Sequence, residues 1–160
     1  FKNKHQIIIL KPLDGMGGES IYKFEEITAE HLTIFQDLTN NYKTMVMVQN
    51  FLPEIYEGDY RILIINGKPF PISLARIPQG DSFKGNLAAG GKGEARPLNS
   101  TQQKVCEAIG DLLLTEGITF AGIDMIGDYL TEINVTSPTG AREILNQTQQ
   151  NPIHALLESF

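Results

Sequence analysis

Ala121-Gly122-Ile123-Asp124-Met125-Ile126-Gly127-Asp128-Tyr129-Leu130-Thr131-Glu132-Ile133-Asn134-Val135 is the stretch whose reading decides the fold. Both halves alternate in size and polarity about a Gly-Asp turn signal, the pattern of a β-hairpin. A three-residue loop, Gly127 to Tyr129, sets Asp124 opposite Glu132 and Gly122 opposite Asn134 on one face, leaving Ile123, Met125, Ile133 and Val135 for the other. A two-residue Gly-Asp turn instead sets Asp124 opposite Thr131 and sends Glu132 to the far face, because a one-residue slip reverses every side chain. With the longer turn, two carboxylates and an amide carbonyl make a hard oxygen set of the kind Mg²⁺ takes beside phosphate oxygens and water. Acids at this spacing equally describe a solvated sheet face.

Upstream lies a second hairpin. Asp59 to Ile65 and Lys68 to Arg76 flank Asn66-Gly67, the strongest short turn signal between apolar runs. A two-residue turn pairs Ile65 with Lys68 and Arg61 with Ile72, and leaves Arg76 just beyond the ladder at the same end of the sheet. Two guanidiniums there can hold carboxylate or phosphate by forked hydrogen bonds, or make ordinary surface ion pairs. Between this hairpin and the next helix, residues 77–98 carry five glycines with Lys84, Lys92 and Arg96. The segment is too polar to pack and too long for a plain connector, which suits a mobile basic lid or a surface loop.

Ser100 opens a helix with Gln103 in capping-box position, Val105, Ala108, Ile109, Leu112 and Leu113 on one face and Gly117 as its stop. Cys106 sits one step off that face and reads as partly buried packing, since nothing beside it lowers a thiol pKa. Asn151 and Pro152 start a last helix, Ile153 to Phe160, by cap and first-turn proline.

At the amino end, Gln6 to Pro12 reads as a buried strand carrying Lys11, followed by the glycine-rich Asp14-Gly15-Met16-Gly17-Gly18-Glu19-Ser20 and a strand Ile21 to Phe24. Such a loop can turn successive N–H groups toward one anion, or be only a turn; the helix-capping phosphate motif is absent. Thr28 caps a helix to about Leu38 with Leu32, Phe35 and Leu38 on its buried side. Thr44 to Pro53 reads as a strand running into a link whose free backbone groups suit a flat heterocycle, with Phe51 and Leu52 as apolar cover, or as a core strand ending in a proline turn.

A formal charge of −6 with scattered basic residues argues against a nucleic-acid surface, and no apolar run reaches the length of a membrane span. The single cysteine excludes an internal disulfide framework and fits a reducing cytosol, hence a cytoplasmic expectation. His5, His31 and His154 stand apart and carry no chemistry. The chain opens at Phe1 without an initiator Met, just before an apolar strand, and is expected to be part of a longer protein.

Ile9 to Gly18, Ala75 to Gly80, Gly85 to Gly93 and Leu130 to Thr139 together resemble the bacterial glutathione synthetases of the ATP-grasp superfamily. The resemblance implies an α+β fold, an α/β sandwich of incomplete ATP-grasp type: 1–50 as part of the lid subdomain with its glycine loop, 51–160 as the carboxy-terminal subdomain with mobile loop 77–98 and a metal-binding hairpin. It implies ATP-dependent joining of γ-glutamylcysteine to glycine. Lys11, Gly15, Gly17 and Gly18 would hold ATP phosphates; Gln49, Asn50, Phe51 and Leu52 would line the adenine site, with Asp59 near the ribose. Asp124, Glu132 and Asn134 would bind Mg²⁺ or Mn²⁺. Arg61, Arg76, Lys84 and Arg142 would steady substrate carboxylate or transferring phosphate, Lys84 standing where related sequences usually carry arginine. The family's amino-terminal domain has no counterpart here, so the 160 residues alone are expected not to complete turnover, and the full-length form is expected to be a homo-oligomer.

Overall fold

A computed structural model describes residues 7–15 and 17–160; His5, Gln6 and Met16 lie outside the described residues. The chain divides into two compact units after Pro53. In the first, β1 (Ile8–Pro12), β2 (Tyr22–Phe24) and β3 (Val46–Asn50) form an antiparallel sheet in the order β2-β1-β3, and α1 (Ala29–Leu38) packs on it. Ile8, Leu10 and Phe24 are buried beneath Ile34, Phe35 and Leu38. Leu32, expected on that face, is 56% exposed, and Ile34 takes its place. Thr28 is the N-cap, and the helix start is closed by the His31 Nδ1, which accepts the Thr28 N–H at 3.2 Å.

The second unit is built on a six-stranded sheet. β4 (Asp59–Ile65), β5 (Lys68–Pro69), β6 (Ile72–Ile77), β7 (Lys92–Pro97), β8 (Phe120–Ile126) and β9 (Tyr129–Asn134) run in the order β7-β6-β4-β8-β9, with β5 beside β4. The side chains of β4 alternate between two cores. Ile62 and Ile64 join Ile123 and Met125 against α2 (Ser100–Thr115), while Leu63 and Ile65 join Leu74 and Ile144 against α3 (Ala141–Thr148), with Leu156 of α4 (Pro152–Glu158) beside them. Burying each such side chain contributes on the order of 1.5 to 3 kcal/mol.

Three expectations are corrected here. The cap of α2 is Asn99, whose Oδ1 accepts the Gln102 N–H at 2.8 Å while Gln102 Oε1 accepts the Asn99 N–H at 3.0 Å; Ser100 and Gln103 are one step too far along. The face that packs on the sheet is Gln102, Cys106, Gly110 and Leu113, so Cys106 is fully buried while Ala108 and Leu112 face outward. Segment 77–98 is not an unpacked lid throughout: Lys92–Pro97 is a strand of the sheet and Leu87 packs into the α3-side core. The remaining loop is 78–91. α4 follows its Asn151 cap, whose Oδ1 accepts from the Ile153 and His154 N–H groups. Among the described residues no helix is long and apolar enough to cross a membrane.

Candidate active site

The two hairpins of the larger unit meet at β4 and β8, and their registers place the site. β8 and β9 are joined by a two-residue turn, with Ile126 opposite Tyr129 and Met125 opposite Leu130. Continued regularly, that ladder would set Asp124 opposite Thr131. A β-bulge inserts Thr131 as an extra residue, its Oγ1 donating to the Asp124 carbonyl at 3.1 Å, and the ladder resumes with Asp124 opposite Glu132 and Gly122 opposite Asn134. The expected face is therefore present, but the odd residue sits in the strand and not in the turn. Ile133 and Val135 on the opposite side of β9 remain 40% and 46% exposed.

The other hairpin also changes register. Ile65 pairs with Lys68, but Arg61 pairs with Leu74 and Arg76 pairs with Asp59, which corrects the expected Arg61–Ile72 pairing and brings Arg76 into the ladder. Phe70 N–H still bonds the Leu63 carbonyl at 2.7 Å; the slip follows at Pro71, which has no N–H to give. An even slip keeps faces unchanged, so Arg61 and Arg76 stay on the side of Asp59 and Asp124.

These four side chains form one buried ionic cluster. Arg61 is forked onto Asp124, Nε to Oδ1 at 2.5 Å and Nη2 to Oδ2 at 2.9 Å. Arg76 Nη2 bridges Asp59 Oδ2 at 2.6 Å and Asp124 Oδ2 at 2.8 Å, while its Nε donates to the Asp59 carbonyl at 3.3 Å. Arg61 Nη1 lies 3.4 Å from both the carbonyl and Oγ1 of Thr139. Burial pushes Asp59 up to about 6, against the pull of Arg76, and its buried Oδ1 has no hydrogen-bond partner among the described residues. Burial acts on Asp124 in the same direction, but hydrogen bonds from Arg61 and the charges of both arginines outweigh it and hold that carboxyl below the ordinary range. Arg76 is disfavoured by burial, yet Asp59 and Asp124 outweigh this and raise its pKa.

Loop 78–91 comes down on this cluster. A Cβ on Gly85 would overlap the Arg76 carbonyl and meet Asp59 Cβ at 3.0 Å, so only glycine lets the backbone lie there. Lys84 is half-buried in the same loop, its N–H donating to Ser82 Oγ at 3.1 Å. Arg142 is exposed in the first turn of α3.

A divalent cation tests the donor set. Glu132 is exposed and Asn134 half-buried on the face of Asp124. Among the described residues, Asp124 Oδ2 accepts from both arginines and Oδ1 from Arg61 alone, so three of about four lone-pair sites are filled and one on Oδ1 remains. Hard oxygens from Glu132, Asn134 and Asp124 Oδ1 fit Mg²⁺ chemistry. Among the described residues no three His, Cys, Asp or Glu cluster as metal ligands, so an amide is needed to complete a protein triad.

In the smaller unit, Lys11 stands on β1 opposite Met47, Gly17 and Gly18 both adopt positive φ (64° and 84°), and Gly15 precedes them on the exposed loop. Among the described residues β3 is an edge strand. Phe51 N–H bonds the Ile7 carbonyl at 3.2 Å, so by antiparallel alternation Gln49 and Phe51 bond β1 while Asn50 directs its backbone groups outward, with half-buried Leu52 two residues on. Lys23 Nζ lies 4.5 Å from the Phe51 ring centroid.

Sequence reasoning missed Thr139, which meets Arg61, and the whole of α3. Gly140, its N-cap, carries no side chain to announce a helix, and Ile144 is its one buried residue.

Residues 1–149 match the family model of the prokaryotic glutathione synthetase ATP-grasp domain. The glutathione synthetase of Escherichia coli K12 is 53% identical over 144 residues, 90% of this chain and 46% of that protein. That of Nitrosomonas europaea is 47% identical over 160 residues, all of this chain and 50% of its own length. The chain thus spans about half the length of the curated relatives it matches. Among solved structures, the ATP-grasp ligase PsnB complexed with a precursor variant, Mg and ADP superposes with TM-score 0.65 at 18% identity, covering 99% of this chain and 47% of that one. D-cycloserine synthetase DcsG gives TM-score 0.65 at 15% identity, covering 97% and 54%. These likenesses confirm an ATP-grasp fold, and with the family match over nearly the whole sequence the chain belongs to the prokaryotic glutathione synthetases, in their ATP-grasp domain.

Proposed function

We propose that this chain supplies the nucleotide and metal machinery of a ligase that joins γ-L-glutamyl-L-cysteine to glycine at the expense of ATP. The observation that carries the reading is the one sheet face on which Asp59, Arg61, Arg76 and Asp124 meet, with Glu132 and Asn134 beside them. Phosphoryl transfer asks little covalent chemistry of a protein and much positioning and charge, which such a face offers.

A cysteinyl carboxylate oxygen attacks the γ-phosphorus, the bond to the bridging oxygen breaks and ADP leaves. The glycine nitrogen then attacks the acyl carbon, the carbon–oxygen bond to phosphate breaks, and the amine gives up a proton. Mg²⁺ or Mn²⁺, when bound, supplies neutralisation of phosphate charge; Glu132, Asn134 and Asp124 are its ligands in this reading. Lys11 with Gly15, Gly17 and Gly18 holds phosphates, Gln49, Asn50, Phe51 and Leu52 receive the adenine, and Asp59 serves the ribose. Arg76, anchored by Nε and Nη2, keeps Nη1 for an anion, with Arg61, Lys84 and Arg142 as further cations. Loop 78–91 excludes water from the acylphosphate. Holding acyl donor and amine together supplies on the order of 7 to 11 kcal/mol of the barrier.

The test is ADP release from the full-length protein with γ-glutamylcysteine and glycine each omitted in turn. Release that needs both supports the reading. Release driven by another acid and amine assigns a different ATP-grasp ligase, and nucleotide binding that no pair turns into release makes this a binding module.

A further inference from the structure

Among the described residues β7 is an edge strand, paired with β6 on one side only, yet its outward backbone groups at two positions are taken. Ala95 N–H donates to Gln147 Oε1 at 2.8 Å, and Gln147 Nε2 donates to the Gly93 carbonyl at 3.0 Å. One side-chain amide thus does for β7 what a residue of a further strand would do, offering one acceptor and one donor to groups two residues apart. Gly93 faces Arg76 across the ladder, and β7 is the strand into which loop 78–91 runs after laying Gly85 on Arg76 and Asp59. The opposite end of α3 is tied to the same cluster, since Arg61 Nη1 reaches Thr139, the residue before the helix cap. A helix of this length spans about 12 Å, so α3 is a short strut from the arginine cluster to the root of the loop.

We propose that Gln147 is a positioning residue: its amide pins β7 to α3 and so fixes the carboxyl-side root of loop 78–91 where the loop covers Asp59 and Arg76. Its consequence for turnover rests on the ligase reading; the mechanical coupling does not. Amide hydrogen exchange of the full-length protein tests it with two variants. Gln147→Met keeps chain length and helix propensity but has no amide. Gln147→Glu keeps an acceptor for Ala95 and loses the donor to Gly93. Expected for Gln147→Met is exchange faster by about threefold to tenfold at Ala95 and across 78–91, with β8 unchanged. Gln147→Glu should leave Ala95 near its original protection, a rescue that general loosening of α3 would not give. In turnover, the KM for the acid should rise by more than kcat falls. Unchanged exchange at Ala95 in Gln147→Met overturns the proposal, as does faster exchange there with 78–91 unaltered, or faster exchange spread into β8. Failure of the ligase reading shows separately, as absence of ADP release from the unsubstituted protein, and leaves the exchange result to stand by itself.

Discussion

The β4–β6 and β8–β9 hairpins both begin from two-residue turns, Asn66-Gly67 and Gly127-Asp128, and both slip register before reaching the ionic cluster. They differ in the parity of the slip. Two extra residues around Pro71 leave Arg61 and Arg76 on the face a regular ladder would have given them. One extra residue, Thr131, moves Glu132 and Asn134 to a face that a regular ladder would have denied them. An even insertion in a strand changes where a side chain lies along the sheet; an odd one changes which side of the sheet it serves.

The largest effect should come from breaking that parity. A glycine inserted between Thr131 and Glu132 sends Glu132 and Asn134 toward α2, and Mg²⁺-dependent nucleotide binding, measured by calorimetry, should vanish. Deleting Thr131 restores a regular ladder with Glu132 still opposite Asp124 and should keep binding within about tenfold, the scale of disturbed ligand orientation. Next is Asp124→Ala, at the joint where both hairpins meet. It strands the buried Arg61 guanidinium and leaves Arg76 with Asp59 as its carboxylate, and should lower stability in urea melts by about 3 to 5 kcal/mol. The first hairpin has a weak point at its turn: Gly110 of α2 lies against the Gly67 carbonyl, which a Cβ would overlap. Gly110→Ala should cost about 1 to 3 kcal/mol by forcing α2 off the turn.

The smallest effect separates the two carboxylates by pH. Asp59, raised to about 6, makes a contribution that is fully present below its ordinary value of 3.8 and fades as pH climbs through 6, because the folded state there binds the extra proton. Asp124, lowered, contributes above its ordinary value and loses this only as pH falls through its folded pKa. Asp59→Asn should therefore flatten the decline in stability between about pH 4 and 6, leaving acid unfolding at lower pH in place; melts across that range check it.

The same parity explains what could be read beforehand. Counting from Ile126 to Glu132 reveals one odd residue, but not whether it lies in the turn or the strand, since both solutions give one face. Arg61 pairs with Leu74 and not with Ile72 because Pro71, with no N–H to offer, does not serve as a ladder residue, and turn counting treats every residue as one. Lys92 to Pro97 hid as a strand because glycine and charge conceal alternation when one neighbour and a helix amide supply the partners. α3 lacked a capping side chain, and its apolar stripe, Ala141, Ile144 and Leu145, is too short to announce a helix, so Gln147 carried no signal at all.

Cys106, the only thiol in the chain, lies wholly inside the layer between α2 and the sheet, and burial pushes it up to about 12. A thiol-labelling reagent can react with it only when that helix lifts. The rate of labelling is therefore a clock on the opening of the larger unit, built in without any substitution.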